Sequence, residues 1–101
     1  MKRIIFNLKR EWYDKIASGE KTVEYRRNCR YWDVRLRKVM MHTRGLILPH
    51  KDFVAVFRLG YSRKHPNIVR RITMIDIGPC PYPGWNGDYF RIHFENRGGT
   101  R

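Results

Sequence analysis

The chain has 101 residues, and its 22 Lys and Arg against 9 Asp and Glu leave a formal net charge of +13. That length supports one modest core and is too short for two. A charge excess of this size repels itself in a compact fold, so it points to a polyanionic partner, most simply nucleic acid, against the plainer alternative of a merely basic soluble protein.

Arg3–Lys9 reads as a first strand, with Ile4, Ile5, Phe6 and Leu8 indicating burial on both faces or nearly so. Lys9 ends it at the mouth of a helix expected over about Arg10 to Ser18, whose start Asn7 and Glu11 are placed to help. In that helix Trp12, Tyr13, Ile16 and Ala17 recur at helical spacing, and Gly19 stands where a left-handed cap is needed. The period then becomes two. Val23 and Tyr25 point to one face of a second strand, Thr22, Glu24 and Arg26 to the other, and Lys21 sits at the turn. A carboxylate, a guanidinium and an ammonium therefore converge where the helix hands the chain to the strand.

Asn28–Lys38 lacks strand alternation, but Tyr31, Trp32, Arg35 and Leu36 permit one or two helical turns. Val39–Arg44 reads as a strand, Gly45–Asp52 as a loop around Pro49, and Phe53–Ser62 as an apolar strand. Arg58 follows Val54 and Val56 on one side of that strand, so this face changes there from buried to solvent or ligand. Tyr61–Asn67, with Arg63 and Lys64, is an exposed basic loop that either grips phosphate or is simply solvated. Ile68–Ile77 is a further strand, and Gly78–Asp88 is dense in turn residues, with Tyr82 and Trp85 placed to cover an opening. Tyr89–Asn96 alternates, sending Phe90, Ile92 and Phe94 inward and Tyr89, Arg91 and His93 outward. About six strands with one helix after the first predict an α+β domain over residues 1–96, mostly antiparallel and curled into a barrel, followed by a frayed tail over 97–101.

The run Gly19-x-Lys21-x-x-Glu24-x-Arg26 after a helix resembles the signature of the ASCH domain, a member of the PUA-like superfamily of small RNA-associated β-barrels. Tyr31-Trp32, Arg35-Leu36 and the closing Gly84-Trp85-x-Gly87-Asp88-Tyr89 look like the small phage and bacterial type, so the resemblance spans nearly the whole chain. It implies a PUA-like barrel and an RNA or single-stranded nucleic-acid ligand held in a cleft around the motif.

The chemistry of the residues agrees with that expectation. Glu24 can accept from the exocyclic amine of cytosine or the N1 and N2 donors of guanine, while Lys21 and Arg26 hold phosphate or keep Glu24 ionised, Lys9 and Arg27 are candidate nucleic-acid contacts beside them, and Tyr31, Trp32, Tyr82 and Trp85 stack a base. Arg35, Arg44, Arg58 and Arg91 are further candidate contacts. The alternative is a Glu24–Arg26 ion pair on a strand face with no ligand. An enzyme is a second possibility, with Lys21 and Glu24 as its candidate catalytic residues. Some ASCH proteins are similar to an amidohydrolase acting on acylated cytidine; Lys21 matches its lysine, but Glu24 occupies the position of its threonine nucleophile. Ribonuclease chemistry would draw on Lys21, Glu24, His42 and His93 if their faces meet. A basic module that binds an acidic protein is a third.

No cofactor is expected. The histidines His42, His50, His65 and His93 show no ligand spacing, and Cys29 and Cys80 form no Cys-x-x-Cys pair, so no metal is expected either. The apolar run at Ile4–Phe6 is too short for a signal peptide or a membrane span. The expected setting is a cytoplasmic monomer with both thiols reduced.

Overall fold

The computed structural model describes residues 2–38, 40–43, 46–49, 53–60 and 64–96. Among them the order is β1 (Lys2–Leu8), α1 (Arg10–Ala17), β2 (Val23–Arg27), α2 (Arg30–Arg37), β3 (Met40–Thr43), β4 (Leu46–Pro49), β5 (Phe53–Leu59), β6 (Ile68–Pro79) and β7 (Asp88–Phe94). Five strands form one sheet in the order β1-β5-β6-β7-β2, and β3 pairs with β4 alone. Only β1 and β5 run parallel; the other ladders are antiparallel. The architecture is α+β on a mostly antiparallel sheet.

The strands alternate as half-buried strands should. On β1 Ile4, Phe6 and Leu8 are buried, while on the other face Ile5 is half-buried and Arg3 and Asn7 are exposed, so the expected burial on both faces or nearly so holds for one face and only in part at Ile5 for the other. On β5 Phe53, Ala55 and Phe57 face the core, and on β7 Phe90, Ile92 and Phe94 do. The helices supply Tyr13, Ile16 and Leu36 to the same cluster. Phe6 and Phe57 stack at 5.6 Å between ring centroids, and Phe57 meets Phe94 at 4.8 Å. Phe6 joins β1 to this core, so truncating it to Ala should cost about 3–5 kcal/mol.

Two strands depart from the expected plan. Leu46–Pro49, read as loop because of its proline, pairs with β3, with Thr43 opposite Leu46 and Met40 opposite Pro49. β4 is an edge strand of a two-stranded ladder, where a missing amide hydrogen at Pro49 is tolerated. β6 runs on to Pro79 and changes partner along its length, pairing through Arg71 with β5 and from Ile72 with β7. A bulge lies at the change: Ile72 pairs with Phe94 and Met74 with His93, leaving Thr73 extra. Thr73 and Met74 are both exposed and burial resumes at Ile75, so the bulge bends the strand without losing the core face.

The turn after α1 sets the geometry of everything that follows. Its N-cap is Lys9 with no side-chain cap, so Asn7, still in the ladder with β5, does not start the helix. At the other end Gly19 takes φ 87°, which a residue with a Cβ adopts only with strain. That turn lets the Lys21 amide donate to the Lys15 carbonyl at 3.0 Å and folds Lys21 back over the helix end.

The sheet ends at β1 on one side and β2 on the other, and among the described residues no ladder joins them. Among these residues also, no helix is long and apolar enough to cross a membrane. Arg44, Arg63, His50 and the tail 97–101 lie outside the described residues.

Candidate functional site

A cleft of about 480 Å³ opens along the gap between the two free edges of the sheet. β1 and the start of α1 contribute Asn7, Leu8, Lys9 and Trp12, and the segment from Lys21 through β2 contributes Lys21, Glu24, Tyr25, Arg26 and Arg27. Trp32 comes from α2, and Tyr82, Gly84, Trp85 and Tyr89 from the turn before β7 and its start. The volume lies within the range of sites for small organic ligands, roughly 300–1,000 Å³.

A buried charge triad forms the floor. Glu24 is 3% exposed and Lys21 8%. Arg26 Nε donates to Glu24 Oε2 at 2.8 Å, and Arg26 Nη2 lies 2.7 Å from the same oxygen. Lys21 Nζ lies 2.7 Å from Oε1, yet off the alignment of a hydrogen bond, so Oε1 carries no hydrogen bond among the described residues. A carboxylate this deep is tolerated because two cations flank it. Oε1 is shut off from solvent and faces the Lys21 ammonium, so a ligand reaches it only where Lys21 gives way.

Aromatic rings line both cations. Lys21 Nζ lies 4.7 Å from the Trp12 ring centroid and 5.7 Å from that of Tyr82. The Arg26 guanidinium lies 5.0 Å from Phe6 and 4.9 Å from Trp32, and Phe6 and Trp32 themselves stack at 5.4 Å. Tyr82 links the wall by packing on Trp12 at 4.9 Å, on Tyr25 at 5.4 Å and on Trp85 at 6.0 Å. Burial, with Tyr25, Cys80 and Glu24 adding to it, pushes the Tyr82 phenol up; burial likewise raises Tyr25, with help from Cys80. Both hydroxyls are therefore neutral donors at neutral pH.

The structure gathers Lys9, Lys21, Glu24, Arg26, Arg27, Trp32 and Trp85 into this cleft, four cations against one carboxylate. Tyr31, Arg35 and Arg58 line a different cleft. Arg91 is placed elsewhere: on the outward face of β7 its guanidinium grips Asp76 at 2.8 and 2.7 Å, and His93 lies 3.2 Å from the same carboxylate. Arg91 and His93 do not line the cleft, so no acid–base pair forms there between His93 and Lys21 or Glu24. The side chain of His42 lies outside the described part of the chain.

The sequence reading missed Trp12 and Asn7 as cleft residues. Trp12 had a place on the apolar face of its helix, and only the Gly19 turn brings Lys21 against its ring. Asn7 carried a signal, as a polar residue breaking an apolar strand. Among the described residues no group of His, Cys, Asp and Glu is placed to hold a metal ion. No family model, curated protein or solved structure matches the chain.

Proposed function

We propose that this chain is a monomeric PUA-like module of the ASCH type, of the small phage and bacterial kind, that binds RNA or another single-stranded nucleic acid in the cleft between β1 and β2. The observation that carries this reading is the Lys21–Glu24–Arg26 triad buried under tryptophan and tyrosine rings. A base stacks against Trp85 and Tyr82 at the rim, Lys21 swings aside so that the N–H groups of the base donate toward Glu24 Oε1, and Lys9 and Arg27 meet the flanking phosphates. Duplex DNA is disfavoured, since its stacked bases do not reach into a cleft of this size. The open sheet corresponds in this reading to the PUA-like barrel that the motif's resemblance implies. A cytoplasmic setting suits it, because Cys29 and Cys80 are both free thiols.

Binding is favoured over hydrolysis by the lining itself. Among the described residues around the cleft there is no serine, threonine, cysteine or histidine. The position that the amidohydrolase resemblance assigns to a nucleophilic threonine is Glu24, already held by two cations.

Fluorescence anisotropy with labelled single-stranded RNA, single-stranded DNA and duplex DNA over a salt series tests the proposal. The expected outcome is preference for single strands, with log affinity falling linearly in log salt. Equal binding of all three, or binding indifferent to salt, would contradict it.

A further inference from the structure

A second cleft of about 720 Å³ lies on the outward side of β1, and among the described residues its charge is of one sign. Arg3 of β1, Arg35 of α2, Lys38 just after α2, and Arg58 of β5 line it, with Asn7 and Tyr31 between them. No acidic side chain lines it among the described residues, and none of the four cations makes an ion pair there. Elsewhere on the described surface cations do find carboxylates: Lys15 with Glu20, Arg37 with Asp33, Arg71 with Glu95. Four converging charges on three elements, without an ion-pair partner among the described residues, raise the local potential for an anion.

The geometry also suits a chain of phosphates. The Arg35 guanidinium carbon lies 3.8 Å from the centroid of Tyr31, and a guanidinium held over a ring can still turn N–H groups to a phosphate. The two clefts adjoin. Asn7 lines both, and its register partner across the β1–β5 ladder is Arg58. Tyr31 and Trp32, successive residues of α2 with rings edge-on at 5.1 Å, face one cleft each.

We propose that the second cleft binds the phosphodiester backbone that leaves the first, so that the ligand is a single-stranded oligonucleotide and a mononucleotide fills only half of the site. This rests on the reading of the first cleft as a nucleotide site. Stacked base and spare acceptor belong to the first cleft; the second supplies sequence-independent charge and sets the direction in which the strand runs past Asn7.

The test is the double variant Arg35→Gln/Arg58→Gln, with Lys15→Gln/Arg71→Gln as a control that removes the same charge elsewhere. Each is titrated with cytidine and guanosine monophosphate, followed by tryptophan fluorescence, and with a labelled single-stranded RNA, followed by anisotropy over a salt series. The expected result is an unchanged monophosphate response and an RNA salt slope shallower by about 1.4, two contacts at about 0.7 each for single strands. The control should keep the wild-type slope. The proposal is overturned if the double variant matches wild type or the control in RNA slope and affinity, or if it loses the monophosphate response as well. Those results leave the first cleft standing, because wild type still answers to monophosphate. Wild type that binds neither probe overturns both readings together.

Discussion

Arg26 reaches across the open seam of the sheet to Asn7: its Nη2 donates to the Asn7 carbonyl at 3.2 Å, while its Nε bonds Glu24 at 2.8 Å. One guanidinium thus ties the two edge strands together and fixes the carboxylate at the base of the cleft. The same side chain sits between Phe6 and Trp32, so the core and the candidate site share a residue. Fold and candidate site are coupled there.

Arg26→Lys should separate charge from geometry. A lysine keeps the formal charge but has no planar fork to serve Glu24 and Asn7 together. The expected loss is about 2 kcal/mol, the order of a hydrogen bond to a charged group, seen as a lower urea midpoint at unchanged slope.

Gly78→Ala reports on the outward cluster. A Cβ on Gly78 would lie 2.6 Å from Arg91 Cζ, and the flexible arginine must leave Asp76 to make room. The hydrogen bond from Arg91, with His93 helping, holds the Asp76 carboxyl below its usual range despite burial. A depressed folded pKa contributes stability that is present above the unfolded value, about 3.9, and lost as pH falls through the folded one. Melting temperatures should therefore differ between wild type and Gly78→Ala at pH 6 and draw together in strong acid. Asp76→Asn should flatten the same pH dependence.

Trp85 and Trp32 should divide stacking from packing. Trp85 is 38% exposed at the rim, so Trp85→Ala should weaken single-strand binding by about 1–3 kcal/mol with little change in melting temperature. Trp32 stacks on Phe6 and Arg26, and Trp32→Ala should lower the melting temperature first.

Much of this was legible from residues. The Gly19 cap, the alternation of Phe90, Ile92 and Phe94, and the convergence of Lys21, Glu24 and Arg26 all follow from local rules of period and turn chemistry. What was not legible depends on contacts far apart in sequence. Arg91 reads as one more cation on a strand until the β6–β7 register sets it opposite Asp76. Tyr31, Trp32 and Arg35 share one helical turn, yet the edge of β1 divides them between two clefts. Leu46–Pro49 looked like loop because a proline outweighed three apolar residues, and its pairing with β3 is visible only in the register.

Glu24→Gln tests base recognition against simple attraction. Removing a carboxylate from a basic surface should strengthen binding to every sequence. If Oε1 accepts from a base, the variant instead loses about 1–3 kcal/mol for the preferred base and changes little for the others. Denaturation must accompany the titration, since leaving Lys21 and Arg26 without their partner should cost about 3 kcal/mol of stability.

The chain contains 3 tryptophans, Trp12, Trp32 and Trp85, and all of them line the first cleft. Their indole N–H signals in a proton–nitrogen correlation spectrum therefore report on that cleft directly. Titration with single-stranded RNA at low salt should shift the Trp85 signal and at least one of the other two, saturating at the concentration where anisotropy saturates. Saturable RNA binding that leaves all the indole signals in place would contradict the account, because the nucleic acid would then lie on another face of the protein.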